Sequence, residues 1–180
     1  VLKDITLAET LTIAAEKNFT IDLNGKDITA INPEANLDIY GKLTIEDKVG
    51  GGVSTFRNHK VSNGGSLTLT SGTLQNISTN NGGYGIYVTE GGNATINGGT
   101  VNIDAYSDGI HAYQELNVNG GSIDIETTES KDSGSSKGLK AGYTDDSTGT
   151  TTTGVVNVNG GYVNANTNDD CINSNGDINI

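Results

Sequence analysis

Four short segments of the sequence share one pattern, and polar side chains occupy matching places in each. Aligning 85–88, 109–112, 138–141 and 171–174 produces two columns, one just before each segment and one facing outward within it. The first column holds Tyr84, Asp108, Lys137 and Asp170, and the outward column holds Tyr87, His111, Lys140 and Asn173. Carboxylates, amides, cations and aromatic rings in such columns can bind a metal ion or a polar ligand.

Carboxylate and amide oxygens concentrate beside the first column. Calcium takes about six to eight hard oxygen ligands at ~2.4 Å, and oxygens converging from adjacent turns would supply them. We therefore predict calcium as the cofactor, with candidate ligands Asp108, Asn168, Asp169 and Asp170. The alternative is that aspartates at turns only hydrogen-bond to their own backbone.

The elements that must position these columns are short strands. Leu116 and Val118, then Ile123 and Ile125, show the two-residue period of strands with one buried face. The Gly-Gly pairs at 98 and 120 lie about 22 residues apart, a plausible coil length, and permit a backbone corner. The pattern predicts an all-β, right-handed parallel β-helix of about seven coils. We interpret 1–180 as one domain, with irregular entry coils at 1–83 and regular repeats at 84–180.

Three further features follow from the repeat. Long excursions that interrupt the strand rhythm are predicted at 47–65 and at 130–154, the second of them around a strand at 137–143. Asn97, Asn119 and Asn159 each precede a Gly pair, which predicts a stacked ladder of hydrogen-bonded amides. The pattern stops in mid-unit at 180, so the last coil is expected to be uncapped and to contact another coil or chain end to end.

The composition narrows the class of protein. Only 33% of residues are hydrophobic and 26 are Gly, which suits the narrow core of a solenoid. A net charge of −12, with ten scattered cationic residues, argues against nucleic acid binding. No apolar run is long enough for membrane insertion. Acidity with much Asn, Thr and Ser favours a secreted or cell-surface bacterial protein.

Residues 84–180 resemble the clostridial secreted carbohydrate-binding-domain family, parallel β-helices related in fold to pectate lyases. The resemblance is carried by 108–112, 137–141 and 169–178, and by the repeated Asn-Gly-Gly link between strands. It implies calcium ions along one face and affinity for plant polysaccharides, including acidic sugars. The sequence departs from the family pattern at Cys171, where a small Ala is expected.

Cationic and aromatic side chains near the columns are candidate ligand contacts. Lys137 and Lys140 could meet a uronic acid carboxylate, and tyrosine rings could stack on a sugar ring. The predicted ligand-binding residues are Tyr87, His111, Tyr113, Lys137, Lys140, Tyr143 and Asn173. The alternative reading is that they are ordinary solvated lysines and packing tyrosines.

The sequence contains few residues in an arrangement that could act in catalysis, and no catalytic residue is assigned. Arg57 is the single Arg, and His59 and His111 are isolated in the sequence. The leading hypothesis is therefore non-catalytic binding of a polysaccharide, with acidic sugars or cellulose as partner. The alternatives are a structural adhesin or stalk segment, and a calcium-dependent polysaccharide lyase acting on uronates.

Overall fold

The computed structural model describes residues 1–77, 83–130, 132 and 134–180, which form a β-solenoid. Its strands build three parallel seven-stranded sheets, named A, B and C below. The chain passes through A, B and C in turn, so that each passage completes one of seven coils. The predicted all-β parallel solenoid of about seven coils is confirmed. Among the described residues, no helix is long and apolar enough to cross a membrane.

Each coil contributes one strand to each sheet. Sheet A contains β1 (Ile5–Leu7), β4 (Ile28–Ala30), β7 (Val53–Phe56), β10 (Thr73–Asn76), β13 (Thr100–Ala105), β16 (Ser122–Thr127) and β21 (Tyr162–Asn166). Sheet B contains β2 (Leu11–Ile13), β5 (Leu37–Ile39), β8 (His59–Val61), β11 (Ile86–Val88), β14 (Ile110–Ala112), β17 (Leu139–Ala141) and β22 (Ile172–Ser174). Sheet C contains β3 (Asn18–Asp22), β6 (Lys42–Glu46), β9 (Ser66–Leu69), β12 (Asn93–Ile96), β15 (Glu115–Val118), β20 (Val155–Val158) and β23 (Ile178–Asn179).

The core is a narrow tube filled by alternate residues of every strand. Leu116 and Val118 of β15, with Ile123 and Ile125 of β16, are each at most 1% exposed. The residues between them face outward, as the two-residue period predicts. Complete burial of such side chains stabilises the fold by about 1.5–3 kcal/mol each. This explains how a sequence with few hydrophobic residues still forms a continuous core.

The Gly-Gly pairs form the corners between sheets C and A. Gly99 and Gly121 adopt φ angles of 77° and 89°, a region that side chains with a Cβ disfavour. A Cβ on Gly121 would also lie 2.7 Å from the carbonyl oxygen of Gly99 in the coil below. Glycine is therefore required here both for its backbone angle and for the close approach of successive coils.

The predicted asparagine ladder is confirmed. Asn119 donates from Nδ2 to Oδ1 of Asn97 at 2.9 Å, and Asn159 donates to Asn119 at 2.8 Å. A parallel ladder that the sequence did not lead us to predict joins Asn157 to Asn117 at 2.9 Å and Asn179 to Asn157 at 2.7 Å. Side-chain amides thus repeat the vertical hydrogen bonding of the backbone on the outer surface.

The excursion predicted at 47–65 is wrong, because this segment contains strands β7 and β8 and forms an ordinary part of a coil. Its inward positions include Ser54 and His59, which are 2% and 1% exposed. These polar residues replace the apolar residues expected at inward positions, and so the alternation is hidden in the sequence. Asp47 secures the turn before β7, accepting the backbone N–H of Gly52 at 2.6 Å.

The excursion predicted at 130–154 is confirmed. It carries an antiparallel hairpin of β18 (Tyr143–Asp145) and β19 (Thr150–Thr152), outside the three sheets. The chain returns to β20 in register with β15, so the insertion leaves the stacking of the coils unchanged. The hairpin consequently projects from a solenoid that is regular on both sides of it.

The last coil is formed by β21, β22 and β23. β23 pairs with β20, and the side chains of Ile178 and Ile180 are 45% and 88% exposed. End-to-end contact through this coil stays a prediction.

Burial of His59 predicts a pH-dependent stability. Desolvation lowers the pKa of His59 from 6.5 to about 4, because the ring is enclosed beside Phe56 and Ser54. The unfolded chain binds this proton more tightly, so the stabilising contribution is complete above pH 6.5 and is lost as the pH falls towards 4. The free energy of unfolding should decrease by about 3 kcal/mol over that interval.

Urea denaturation of the wild type and of His59→Leu across this pH range tests the assignment. Leucine is the residue that pairs with His59 from the preceding coil, at position 37. The variant should lose most of the decrease, whereas an unchanged decrease would attribute it to other groups.

The asparagine ladder predicts a measurable contribution to stability. Asn119→Ala removes two amide hydrogen bonds, each worth about 1 kcal/mol, and should lower the free energy of unfolding by about 1–2 kcal/mol. Asn102→Ala is the matched control, since Asn102 is an exposed asparagine on sheet A outside both ladders. Equal losses in the two variants would show that the ladder contributes nothing specific.

Candidate functional site

A cleft of about 360 Å³ lies on the outer face of sheet B, where the β18–β19 hairpin stands beside the later coils. Five of the predicted ligand-binding residues line it: His111, Lys137, Lys140, Tyr143 and Asn173. The other lining residues are Tyr84, Asp108, Ser135, Thr144, Asp146 and Asn175. Sheet B therefore gathers most of the predicted residues at one place.

Strand register brings the outward column together as the sequence predicts. Tyr87 pairs with His111, His111 with Lys140, and Lys140 with Asn173, on β11, β14, β17 and β22. The first column is aligned by backbone bonds, because Gly109 N–H donates to the carbonyl of Lys137 at 2.8 Å and Gly138 N–H donates to that of Asp170 at 3.1 Å. The columns are a direct consequence of parallel stacking.

Asp108 lies at the base of the cleft with a fully buried side chain. Its Oδ1 accepts the hydroxyl of Ser135 at 2.5 Å and the backbone N–H of Lys137 at 2.9 Å. Its Oδ2 lies 3.1 Å from Nδ1 of His111 and 3.8 Å from Nζ of Lys140. One carboxylate therefore contacts groups from two successive coils and from the excursion between them.

These contacts keep Asp108 charged. Burial alone raises the pKa of this carboxyl, but the contacts from His111, Ser135 and the Lys137 backbone, with the charge of Lys140, outweigh it. The net pKa is lowered below the ordinary aspartate value. Hydrogen bonds to the charged form and a nearby cation are the physical causes.

His111 connects this base to the hairpin. Its side chain is 5% exposed although it belongs to the outward column of the sheet. Besides facing Asp108, its Nε2 lies 3.1 Å from the carbonyl oxygen of Gly142, the residue that precedes β18. The imidazole thus links the cleft floor to the first residue of the hairpin wall.

The two lysines converge on the same hydroxyl group. Nζ of Lys137 and Nζ of Lys140 lie 3.4 Å and 3.3 Å from Oγ of Ser135. Lys137 also forms an ion pair with Asp169, whose side chain is 22% exposed. Lys140 forms its ion pair with the buried Asp108 beneath it, at 3.8 Å.

Four tyrosines form two stacked pairs beside His111. Tyr113 and Tyr143 are parallel with ring centroids 4.2 Å apart, and Tyr84 and Tyr87 are stacked at 4.5 Å. The hydroxyls of Tyr87 and Tyr113 join the two stacks at 2.9 Å. Burial raises the pKa of Tyr84 to about 12, so its hydroxyl stays protonated.

One member of each stack lines the cleft. Of the predicted tyrosines, Tyr143 lines it, whereas Tyr87 and Tyr113 are not among its lining residues and pack against other rings. Tyr84, which the sequence placed in a column without a binding role, lines the cleft as well. The direct contact role predicted for Tyr87 and Tyr113 remains untested.

The four predicted calcium ligands do not share one centre among the described residues. Asp108 and Asp169 face ammonium groups, Asp170 accepts from Nδ2 of Asn173 at 2.9 Å, and Asn168 donates to the carbonyl of Glu129 at 3.3 Å. No group of three or more His, Cys, Asp or Glu in the described part of the chain is arranged to hold a metal. The groups around Asp108 direct hydrogen-bond donors and an ammonium group at its carboxylate, an arrangement that differs from the oxygen ligands of a calcium ion. Calcium binding stays a prediction.

Sequence reasoning does not single out Ser135, Thr144, Asp146 or Asn175. All but Asn175 lie in the excursion at 130–154, where no repeat exists to assign them to a column. Asn175 follows β22 and approaches the hairpin through Nδ2, which lies 3.4 Å from Oγ1 of Thr144. The length of the excursion is the signal that pointed to this region.

The fold and the cleft define a class of protein: a parallel β-solenoid with a polar, tyrosine-edged cleft on one outer face. Long insertions on solenoids commonly lie on the face that binds ligands, and the hairpin here lies beside this cleft.

The chain belongs to the family of carbohydrate-binding domain-containing proteins, because the model of that family matches residues 5–180. Family membership points to a carbohydrate as ligand and confirms this part of the predicted resemblance. Comparisons with curated proteins and with solved structures find no match. Clostridial origin and a relation to pectate lyases stay predictions.

The Tyr113–Tyr143 stack predicts how firmly the hairpin is held. Tyr143→Ala removes a ring pair worth about 0.5–1.5 kcal/mol beyond its buried area, so amide exchange in the hairpin should accelerate roughly 2- to 10-fold. Hydrogen exchange measured by mass spectrometry tests this, with Tyr162→Ala on sheet A as the control. Unchanged exchange in the hairpin would show that other contacts hold it.

Proposed function

We propose that the cleft on sheet B binds a carbohydrate without cleaving it, and that the ligand is an acidic polysaccharide of the plant cell wall. The observation that carries this proposal is Lys140, an ammonium group in a tyrosine-edged cleft of an otherwise acidic protein. A sugar carboxylate is the complementary group, and the aromatic edge suits the apolar face of a sugar ring.

The distribution of charge within the cleft supports one anionic anchor point. Lys137 is already paired with Asp169, whereas Lys140 makes a 3.3 Å contact with Ser135 and a 3.8 Å contact with Asp108. An ammonium group has three N–H donors, so Lys140 retains donors for a ligand. A carboxylate placed there would gain a charge-assisted hydrogen bond.

A second cleft offers a contrast. This cleft of about 250 Å³ on sheet A is lined by Asp104, Asp124 and Glu126 with neutral residues and no cation. Three carboxylates without a counter-charge would repel an acidic sugar. The sheet B cleft is therefore the better site for this ligand class.

The chemistry of the cleft favours binding over cleavage. Hydrolysis requires a pair of available carboxyl groups, but Asp108 is fully buried and occupied by its own donors. Elimination from a uronate requires a base, but the amino groups of Lys137 and Lys140 each contact a carboxylate, Asp169 and Asp108 respectively. Among the described residues that line the cleft, neither reaction has its essential group in an available form.

The proposal also includes a bridging calcium ion and a location outside the cell. A chain of net charge −12 repels a polyanion, and calcium shared between polysaccharide and exposed oxygens such as those of Asp170 and Asn168 would offset this repulsion. The polysaccharide lies outside cells, so the protein would act as a secreted or cell-surface molecule.

Calorimetric titration with oligogalacturonate tests the site. Lys140→Met should weaken binding about 10- to 100-fold, the effect of losing one charge-assisted hydrogen bond. Lys3→Met, which removes the same charge from an exposed position in the first coil, should change binding less than about twofold. Equal losses in the two variants would assign the effect to net charge and contradict this site.

The choice of ligand distinguishes the remaining hypotheses. Pull-down on polygalacturonate and on cellulose, each with calcium and with a chelator, should show binding to polygalacturonate, strengthened by calcium. Binding to cellulose alone would contradict the acidic ligand, and binding to neither would favour a stalk. Release of unsaturated uronides would identify a lyase.

A further inference from the structure

We propose that Asp108 is a positioning residue that holds Lys140, Ser135 and His111 in the arrangement that receives the ligand. The ligand-binding part of this inference rests on the proposed function, whereas the positioning of the three side chains does not. Asp108 itself is fully buried at the base of the cleft, so it acts through the groups above it.

The two carboxylate oxygens have separate partners. Oδ1 accepts from Ser135 and from the backbone of Lys137, both in the excursion that crosses to the next coil. Oδ2 faces His111 in the coil of Asp108 and Lys140 in the next one. The carboxylate therefore fixes the relative position of two coils at the cleft, and it does so with opposite edges of one planar group.

Ser135 connects the carboxylate of Asp108 to the side chains of Lys137 and Lys140. A hydroxyl has one proton, and the 2.5 Å contact places that proton towards Asp108. Its lone pairs are then left to face Nζ of Lys137 at 3.4 Å and Nζ of Lys140 at 3.3 Å. Oδ1 of Asp108 sets the direction in which the Ser135 hydroxyl donates, and Ser135 is then left to accept from the two lysines.

His111 provides a second connection, from Asp108 to the β18–β19 hairpin. His111 lies between Oδ2 of Asp108 and the carbonyl of Gly142, at 3.1 Å from each. The ring is additionally enclosed by Tyr84, Tyr87 and Tyr113, with centroids 5.7–5.8 Å away. A change at Asp108 should consequently be felt at β18 through His111.

Asp108→Asn isolates this role. The amide oxygen can replace Oδ1 towards Ser135 and Lys137, while its NH₂ group would face the ammonium of Lys140 in place of a carboxylate oxygen and would change the neighbour of Nδ1 of His111. In the ligand-free protein, NMR should show displaced imidazole signals of His111 and displaced Nζ signals of Lys140. Asp146→Asn is the matched control, since it removes the same formal charge from the cleft lining without a contact to Asp108 among the described residues.

Binding to oligogalacturonate then tests the consequence. Asp108→Asn should weaken binding about tenfold in the wild type and less than about twofold in Lys140→Met, because it acts through Lys140. Equal effects in both backgrounds would overturn the inference. Loss of binding without any NMR displacement of Lys140 or His111 would overturn it as well.

Ser135→Ala provides a second route if Asp108→Asn does not fold. It leaves the charge of Asp108 in place and removes the bridge to the lysines, so the Lys140 signals should move and binding should weaken severalfold. Unmoved Lys140 signals in this variant would overturn the inference. If the wild type binds no glycan, the proposed function fails, and the NMR comparison alone decides the positioning role.

Discussion

The structure depends on the vertical hydrogen bonding between successive parallel coils. Each strand pairs with its neighbours one coil below and one coil above, apart from the first and last strand of each sheet, which have one neighbour. Because a one-residue slip would turn the apolar set outward, burial of alternate residues enforces the register that the backbone bonds maintain. Every column of side chains, whether of leucine, asparagine or the cleft residues, inherits its position from this constraint.

The cleft shows what this constraint makes possible. Residues far apart in the sequence, such as Tyr87 and Asn173, lie in one line on sheet B because each occupies the same place in its coil. The excursion adds groups that follow no repeat, and Asp108 joins the two kinds of element. The site is thus a regular array of outward residues completed by one irregular insertion.

This division also explains what the sequence could predict. Alternating apolar residues and Gly-Gly pairs predict the solenoid, the outward column and the ladder of Asn97, Asn119 and Asn159, since each depends on position within a repeat. They do not predict the regular coil at 47–65, where Ser54 and His59 replace inward apolar residues. Ser135 is equally hidden, because its contact with Asp108 depends on the path of a loop. Sequence pattern placed aspartates beside one another, but only three-dimensional packing shows that cations lie opposite two of them.

The β18–β19 hairpin is an insertion that can vary independently of the coils beneath it. The connection from β17 to β20 carries the β18–β19 hairpin and is longer than the matching connection from β14 to β15, yet β20 returns to the same register on β15. Another loop could thus replace residues 143–153 without disturbing the stacked coils, provided that Gly142 and Gly154 are kept, because a Cβ on Gly154 would lie 2.0 Å from the backbone nitrogen of Gly142. The lining of the proposed cleft can therefore change through one segment, while the strands and the glycine corners beneath it stay as they are.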